Sequence, residues 1–184
     1  MLYCCMKILA ISASHRHGNT DAAINFLGKH LVLKGHSFRL IDLKKTNLKF
    51  STGDSNEYYT GKPAVLDEMQ EIQKEILKFD LLILATPNYF SNVSALMKNF
   101  MDRTNPYYCN HDFKNKKTAL LVISASSGKS PKLCLANLKE FCRIHKMVVL
   151  NSKILLAEHS ADFAKNHKLQ KEIEKFADAL LVKK

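Results

Sequence analysis

Five short apolar segments alternate with five segments of helical periodicity, and this alternation limits the possible folds more than any other feature of the chain. Short apolar runs indicate buried strands, and apolar residues three or four positions apart indicate helices. The predicted strands are Lys7–Ser12, Ser37–Asp42, Asp80–Ala85, Thr118–Ser124 and Met147–Leu156. The predicted helices are Thr20–Lys34, Val65–Phe79, Val93–Thr104, Pro131–His145 and His167–Val182. The stretch Leu43–Pro63 shows neither pattern and is predicted to be irregular.

Such an alternation predicts a three-layer α/β architecture, because right-handed crossovers place helices on both faces of a parallel sheet. We expect a doubly wound, five-stranded parallel sheet. No repeat or linker interrupts the 184 residues, so residues 1–184 are predicted as one domain, with residues 1–6 as a short N-terminal extension. Doubly wound sheets bind ligands at the carboxyl ends of their strands. The loops after the first, third and fourth strands are therefore the candidate sites.

The charge is strongly positive, with 28 basic and 17 acidic residues and a net charge of +11. Such a field favours encounter with anions, although a lysine-rich solvated surface explains it most simply. One short block is dense in lysine (Lys114, Lys116 and Lys117), and no aromatic residues interleave with it. A groove for single-stranded nucleic acid needs such aromatics, so no nucleic-acid partner is expected.

The five cysteines are odd in number and show no C-x-x-C spacing, which indicates a reduced, cytoplasmic protein. Residues 1–6 do not resemble a signal peptide, and no apolar run is long enough to span a membrane, so no membrane partner is expected. Cys109 and His111 could be two metal ligands, but no second pair accompanies them. An ordinary loop is the favoured interpretation, and no metal site is predicted.

The loop after the first strand, Ser12–Thr20, combines hydroxyls, an amide, an arginine and a glycine immediately before a helix. A phosphate needs free N–H groups, the positive end of a helix dipole and a fork of donors. The simpler alternative is that Asn19 or Thr20 only caps the helix. Capping leaves Arg16 and the two serines without a role, so a phosphate site is predicted. His15 and His17 are expected to add positive charge beside it.

The loop after the third strand, Thr86–Ser94, contains a proline, two asparagines and the adjacent aromatics Tyr89 and Phe90. A planar ring could stack on these aromatics at the ligand edge of the sheet. The alternative is that they pack as a lid on the core. Other nucleotide motifs are missing: G-x-G-x-x-G is absent, and the P-loop-like tail Gly128–Ser130 has Ile123 where the first glycine is required.

Four segments together resemble a known family: the loop after the first strand, Thr86–Arg103, Ile123–Gly128 and Phe141–Val149. They resemble the NAD(P)H-dependent FMN reductases, and within that family the iron-sulfur flavoproteins. The resemblance extends from Met6 to about Leu156, and its most specific part is Pro87–Arg103. It implies a flavodoxin-like fold with bound FMN.

The resemblance also assigns roles to particular positions. The FMN phosphate would be held by Ser14, Arg16, Asn19 and Thr20. The isoalloxazine would be lined, largely through backbone groups, by Pro87, Asn88, Tyr89, Phe90, Ser91 and Asn92. The other edge of the ring would be approached by Ser126, Ser127 and Gly128. Matching residues on the next helix are expected to serve helix packing and subunit contacts: Lys98, Asp102 and Arg103. No side chain is assigned as a general acid or base.

The function implied by the resemblance is that of an FMN-dependent oxidoreductase. It would take hydride from NADH or NADPH and pass electrons to a small acceptor such as a quinone, a nitroaromatic or free flavin. A homodimer or homotetramer is implied as well. Two alternatives stay open: a flavodoxin-type electron carrier, which the positive charge disfavours, and a flavin- or nucleotide-binding interaction protein without turnover.

Iron-sulfur flavoproteins hold closely spaced cysteines in the segment after the second strand, and this chain does not. Residues Leu48–Lys62 contain no cysteine, and the resemblance implies that Ser51 and Asp54, around Gly53, stand at the equivalent positions. A cubane cluster needs four thiolates, so no iron-sulfur cluster is expected.

Overall fold

The computed structural model describes residues 5–159 and 161–181. The strands are β1 (Lys7–Ser12), β2 (Ser37–Asp42), β3 (Leu81–Pro87), β4 (Lys117–Ser124) and β5 (Val148–Leu156). The helices are α1 (Asn19–Leu33), α2 (Ser55–Thr60), α3 (Met69–Lys78), α4 (Ala95–Asp102), α5 (Asn105–Cys109), α6 (Lys129–Ile144), α7 (Asp162–Lys165) and α8 (His167–Leu181). All five predicted strands are present within a few residues of their predicted limits.

The five strands form one parallel sheet in the order β2-β1-β3-β4-β5. Every residue of β3 is buried, as expected for an apolar strand between two helical layers. The strand order reverses at β1, because the chain moves outward to β2 and then returns to β3 on the other side. The predicted doubly wound, three-layer α/β fold is confirmed, and its switch point lies between β1 and β3.

Each face of the sheet packs against its own set of helices. On one face α1 and α8 supply buried residues such as Leu27 and Phe176. On the other face α3, α4 and α6 supply residues such as Ile72, Phe100 and Leu138. Consecutive side chains of a strand point to opposite faces, so β1 contributes Ile8 and Ala10 to the first core and Leu9 and Ile11 to the second.

The region between β2 and α3 is more ordered than predicted. A short 3₁₀ turn follows β2 at Leu43–Lys45. Helix α2 then begins beyond Asp54, whose carboxylate accepts the Asn56 N–H at 2.9 Å, and it ends at Gly61 with φ 67°. Two further helices, α5 and α7, were not predicted either. All three helices have six residues or fewer, too short for apolar periodicity to reveal.

The chain ends only partly fall within the structure. Residues 1–4 of the predicted N-terminal extension and Val182 of the predicted last helix lie outside the described residues. Met6 belongs to the packed fold, because its N–H donates to His36 Nδ1 at 3.1 Å and its side chain packs on the core. None of the helices in residues 5–159 and 161–181 has the length and apolar character needed to cross a membrane.

Candidate functional site

The loops at the carboxyl edge of the sheet start in fixed positions, because backbone hydrogen bonds extend beyond the strands. The Ala13 N–H donates to the Ala85 carbonyl at 3.0 Å, and the Asn88 N–H donates to the Ile123 carbonyl at 2.7 Å. The buried Ser94 hydroxyl joins two loops by donating to the Ala13 carbonyl at 2.6 Å, and it also caps α4. The loops after β1 and β3 are therefore held against each other.

A small cleft of about 90 Å³ opens between these loops. Seven of the predicted site residues line it: Ser14, Arg16, Asn19, Thr20, Pro87, Asn88 and Tyr89. Six do not line it: Phe90, Ser91, Asn92, Ser126, Ser127 and Gly128. Of these six, Asn92 lines a larger groove. The remaining lining residues were not predicted as site residues: Gly18, Ile123, Ala125, Ala157, Glu158 and His159. The last three follow β5, whose carboxyl end lies on the same edge, so the strand-end rule applied to β5 would have found them.

The first N–H groups of α1 are not capped by a side chain and are available to bind an anion. The cap residue of α1, Gly18, has no side chain to satisfy the first N–H groups, and the first intrahelical bond runs from Ala22 N–H to the Gly18 carbonyl at 3.0 Å. The N–H groups of residues 19–21 therefore have no partner within the helix. The Arg16 side chain is exposed, and its guanidinium makes no hydrogen bond or ion pair with the part of the chain that the structure describes. Together these donors have the chemistry that binds an anion, and they lie in the loop where the sequence predicts a phosphate site.

Two of the predicted phosphate ligands use their side chains to shape the loop. The Ser14 hydroxyl donates to the Arg16 carbonyl at 2.7 Å. The Asn19 amide donates to the His159 carbonyl at 2.8 Å and accepts the Phe163 N–H at 3.1 Å. The Asn19 side chain thus joins the loop after β1 to the loop after β5 and to α7. Its backbone N–H has no partner in the described residues and stays available to a ligand.

His17 does not lie beside the cleft, contrary to expectation. Its Nδ1 is 3.3 Å from Asp21 Oδ2 and 3.2 Å from Lys44 Nζ, on the side facing β2. The hydrogen bond with Asp21 raises the pKa of Lys44. The carboxylate of Asp21 accounts for this position, because it attracts both groups away from the loop. His15 is exposed and does not line the cleft.

The loop after β3 forms a tight turn between Tyr89 and Asn92, which exchange two backbone hydrogen bonds of 2.9 Å. Both central residues have positive φ, 49° at Phe90 and 65° at Ser91. This left-handed conformation is costly for a bulky residue such as phenylalanine. Phe90 is also fully exposed, which rules out the alternative that it packs as a lid on the core. An exposed aromatic held in a strained turn at the ligand edge points to a functional role.

Asn88 presents a buried acceptor at this site. Its Nδ2 donates to the Ser124 hydroxyl at 3.2 Å and to the Ser130 hydroxyl at 3.0 Å. Its Oδ1 is buried and has no hydrogen-bond partner in the described residues. A buried unpaired acceptor costs about 1 to 3 kcal/mol, so a ligand N–H that reached it would bind favourably.

The loop after β4 approaches the site as an exposed backbone segment. The Ser124 hydroxyl donates to the Ser126 carbonyl at 2.8 Å and accepts the Ser126 N–H at 3.2 Å, which fixes the start of the loop. Gly128 has φ 90° and ψ −141° where α6 begins, a conformation that favours glycine. Ser126, Ser127 and Gly128 are exposed. They lie beyond the small cleft, at the same edge of the sheet.

Three larger cavities lie elsewhere in the described residues: one of about 510 Å³ lies against the first turns of α8, and two are larger still. One, of about 570 Å³, lies beside β2 and is lined by several carboxylates. The other, of about 900 Å³, is an open groove between residues 51–58, the α4–α5 region and α6. Ser51 lies in this groove, and its hydroxyl accepts the Gly53 N–H at 3.2 Å. Volume alone favours these cavities, but residues with unpaired donors (Arg16, Asn19 and Thr20) and with the buried acceptor (Asn88) line the small cleft.

Metal and thiol chemistry find little support in the described residues. No group of three or more His, Cys, Asp or Glu side chains there could hold a metal ion. Burial raises the pKa of the Cys134 and Cys142 thiols to about 12, so neither forms a thiolate at neutral pH. Cys109 is exposed, and its Sγ lies 3.5 Å from the Tyr59 carbonyl.

Comparison with known proteins identifies relatives of this chain. An iron-sulfur flavoprotein of Methanocaldococcus jannaschii is 30% identical over 146 residues, which cover 79% of this chain and 76% of that protein. An FMN-dependent NADPH-azoreductase of Staphylococcus aureus is 27% identical over 163 residues, covering 86% of this chain and 79% of that protein.

Solved structures share the fold. The NAD(P)H:quinone oxidoreductase of Methanothermobacter marburgensis superposes with a TM-score of 0.72 at 16% identity, covering 98% of this chain and all of that one. A flavodoxin of Megasphaera elsdenii superposes with a TM-score of 0.59. The predicted flavodoxin-like fold is thus confirmed. The family model for NADPH-dependent FMN reductases matches residues 6–162, and the chain therefore belongs to that family.

Proposed function

We propose that this protein is an FMN-dependent NAD(P)H oxidoreductase that delivers electrons to a small acceptor. The observation that carries the proposal is the cleft at the switch point. There the open end of α1 and the unpaired Arg16 guanidinium line the same cleft as Asn88, whose buried Oδ1 has no partner in the described residues. A ligand with a phosphate at one end and an N–H at the other would satisfy both.

FMN has this chemistry, with one terminal phosphate and one ring N–H. The backbone N–H groups of residues 19–21 and the Arg16 guanidinium would hold the phosphate. The cleft has room for only a few water molecules, so the ring would extend over the exposed loops around Phe90 and Ser126–Gly128. Bound FMN would accept hydride from NADPH or NADH and return the electrons to a second substrate.

A small, planar electron acceptor fits this site best. The names of relatives and structural neighbours include an azoreductase and a quinone oxidoreductase, which act on small molecules. We propose a quinone, a nitroaromatic, an azo compound or free flavin as the acceptor class. The reduced cysteines favour a cytoplasmic location. We propose no nucleic-acid or membrane partner.

The cofactor content of the purified protein tests this proposal. We expect about one FMN per chain and no iron-sulfur cluster, because residues 48–62 contain no cysteine and the Cys134 and Cys142 thiols are buried on α6. The measurement is flavin release, iron and labile-sulfide analysis of protein purified without oxygen, followed by steady-state NADPH and NADH oxidation with a quinone. Several iron atoms per chain with sulfide would refute the expected absence of a cluster. FMN without turnover would favour a carrier or a binding protein.

Replacing Arg16 with alanine is expected to weaken FMN binding roughly 10- to 100-fold. The substitution removes a charge-assisted hydrogen bond of about 1.5 to 3 kcal/mol. Fluorescence titration of FMN into the apoprotein measures the change. Arg39→Ala is a matched control, because Arg39 is an exposed arginine on β2 that pairs with Glu75 at 2.7 Å and lies outside the cleft. Equal affinities for the Arg16 and Arg39 variants would exclude Arg16 from the site.

We also propose a homodimer, or a dimer of such dimers, formed through the surface of α4. Lys98 and Asp102 pair on this surface, and the nearby turn presents the fully exposed Phe90. A second copy that covered Phe90 would bury a large apolar side chain that is otherwise in water. Light scattering at micromolar concentration measures the mass, and a fully active monomer would contradict the proposal.

A further inference from the structure

The hydroxyl of Ser130, in the first turn of α6, connects two parts of the loop after β3. It accepts a hydrogen bond from Asn88 Nδ2 at 3.0 Å and another from the Ser91 hydroxyl at 3.1 Å. Ser130 does not line the cleft. These two bonds tie α6 to the residue before the strained turn and to a residue within it.

Each of these contacts restrains a feature of the proposed flavin site. The Asn88 amide has two N–H donors, and they are used by Ser124 and Ser130. This pairing orients the amide and leaves Oδ1 as the buried, unpaired acceptor. Ser91 has φ 65°, and its hydroxyl donates to the Ser130 hydroxyl. A side-chain bond to a rigid helix helps to maintain such a conformation.

We propose that Ser130 is a positioning residue for the ring end of the FMN site. It holds the Asn88 acceptor and the Phe90–Ser91 turn in the arrangement that receives the isoalloxazine. The inference rests on the proposed function, because it concerns the same site. Without the Ser130 hydroxyl, Asn88 keeps only Ser124 as an acceptor, and the Ser91 hydroxyl loses its contact with α6.

Flavin titrations of Ser130→Ala and Ser130→Thr test this role. Loss of the hydroxyl in Ser130→Ala is expected to raise the Kd for FMN about 10-fold, since two hydrogen bonds that organise the site are lost. Riboflavin lacks the phosphate, so its Kd should rise by the same factor if Ser130 acts at the ring end. Arg16→Ala should instead weaken FMN and leave riboflavin unchanged. Ser130→Thr retains the hydroxyl and should restore both affinities and the visible spectrum of the bound flavin.

Ser37→Ala is the matched control, because the Ser37 hydroxyl bonds the Met6 carbonyl at the start of β2, on the opposite edge of the sheet. It should leave both flavin affinities unchanged. Unchanged flavin affinity in Ser130→Ala, or a threonine variant as weak as the alanine variant, would overturn the inference while the proposed function stands. Wild-type protein that binds neither flavin would overturn both.

Discussion

Replacing Arg103 with methionine is expected to lower the free energy of unfolding by about 3 to 5 kcal/mol, because it leaves a buried carboxylate without its partner. Arg103 is almost fully buried, and its guanidinium bonds both oxygens of Asp67 at 2.6 and 3.0 Å. It also donates to the carbonyls of Lys49 and Val65 at 2.7 and 2.9 Å. Arg103 therefore holds both ends of the segment between β2 and α3. Urea unfolding at neutral pH measures the loss.

The Asp67 carboxylate depends on this arrangement. Burial raises its pKa, but the hydrogen bonds from Arg103 and from the N–H groups of Met69 and Lys49 outweigh burial and hold the pKa below its usual value. Arg143→Met is the matched control, because Arg143 pairs with Glu140 on the surface of α6, with side chains 72% and 54% exposed. Exposed pairs contribute about 1 kcal/mol or less. Similar losses in the two variants would show that the Arg103 pair is not the anchor of this segment.

Arg103 also shows why residue type alone did not reveal its role. The sequence predicts helix packing and subunit contacts for Lys98, Asp102 and Arg103, three charged residues near one helix. Lys98 and Asp102 do lie exposed as a pair on α4, whereas Arg103 is buried within the chain. Its partner Asp67 lies 36 positions away, near the start of the predicted helix Val65–Phe79. Long-range pairing of this kind has no local sequence signal.

The fold was predictable where periodicity was strong. The five apolar runs became the five parallel strands, because each is too short for a buried helix and is bounded by polar turns. The long helices followed from apolar spacing, although α3 begins at Met69 rather than at Val65. Asp67 explains the later start, since its carboxylate bonds both Arg103 and the Met69 N–H. The tertiary contacts of Asp67 therefore set the start of α3, which apolar spacing alone had placed at Val65.

The candidate site was predictable to the level of loops. The strand-end rule located Arg16, Asn88 and Tyr89, and the structure brings them to one cleft. It could not show that the Asn19 amide bonds His159 and Phe163, because these partners lie more than 130 residues away. It also could not show the positive φ of Phe90 and Ser91, since neither residue type is typical of that conformation.

The stability of the protein is expected to fall by about 3 kcal/mol between pH 7.5 and pH 4 through His145 alone. Burial lowers the pKa of His145 to about 4 from its usual value of 6.5, and each unit of difference corresponds to about 1.4 kcal/mol. As the pH falls through this window, His145 binds a proton in the unfolded chain but remains mostly neutral in the folded chain. Unfolding therefore becomes more favourable, and the full loss is reached below pH 4.

The contacts of the His145 imidazole explain why it stays neutral in the folded protein. The Thr104 hydroxyl donates to the Met101 carbonyl at 2.6 Å, so it accepts from His145 Nε2–H at 2.9 Å. The second nitrogen, Nδ1, is buried and has no partner in the described residues, so a proton there would be an unpaired buried donor. Urea unfolding of wild-type protein and His145→Gln at both pH values isolates the effect, because the carboxylates titrate in both. Equal pH dependence in the two proteins, or a ring that titrates near 6.5 by NMR in the folded wild type, would show that His145 accepts a proton in the folded state.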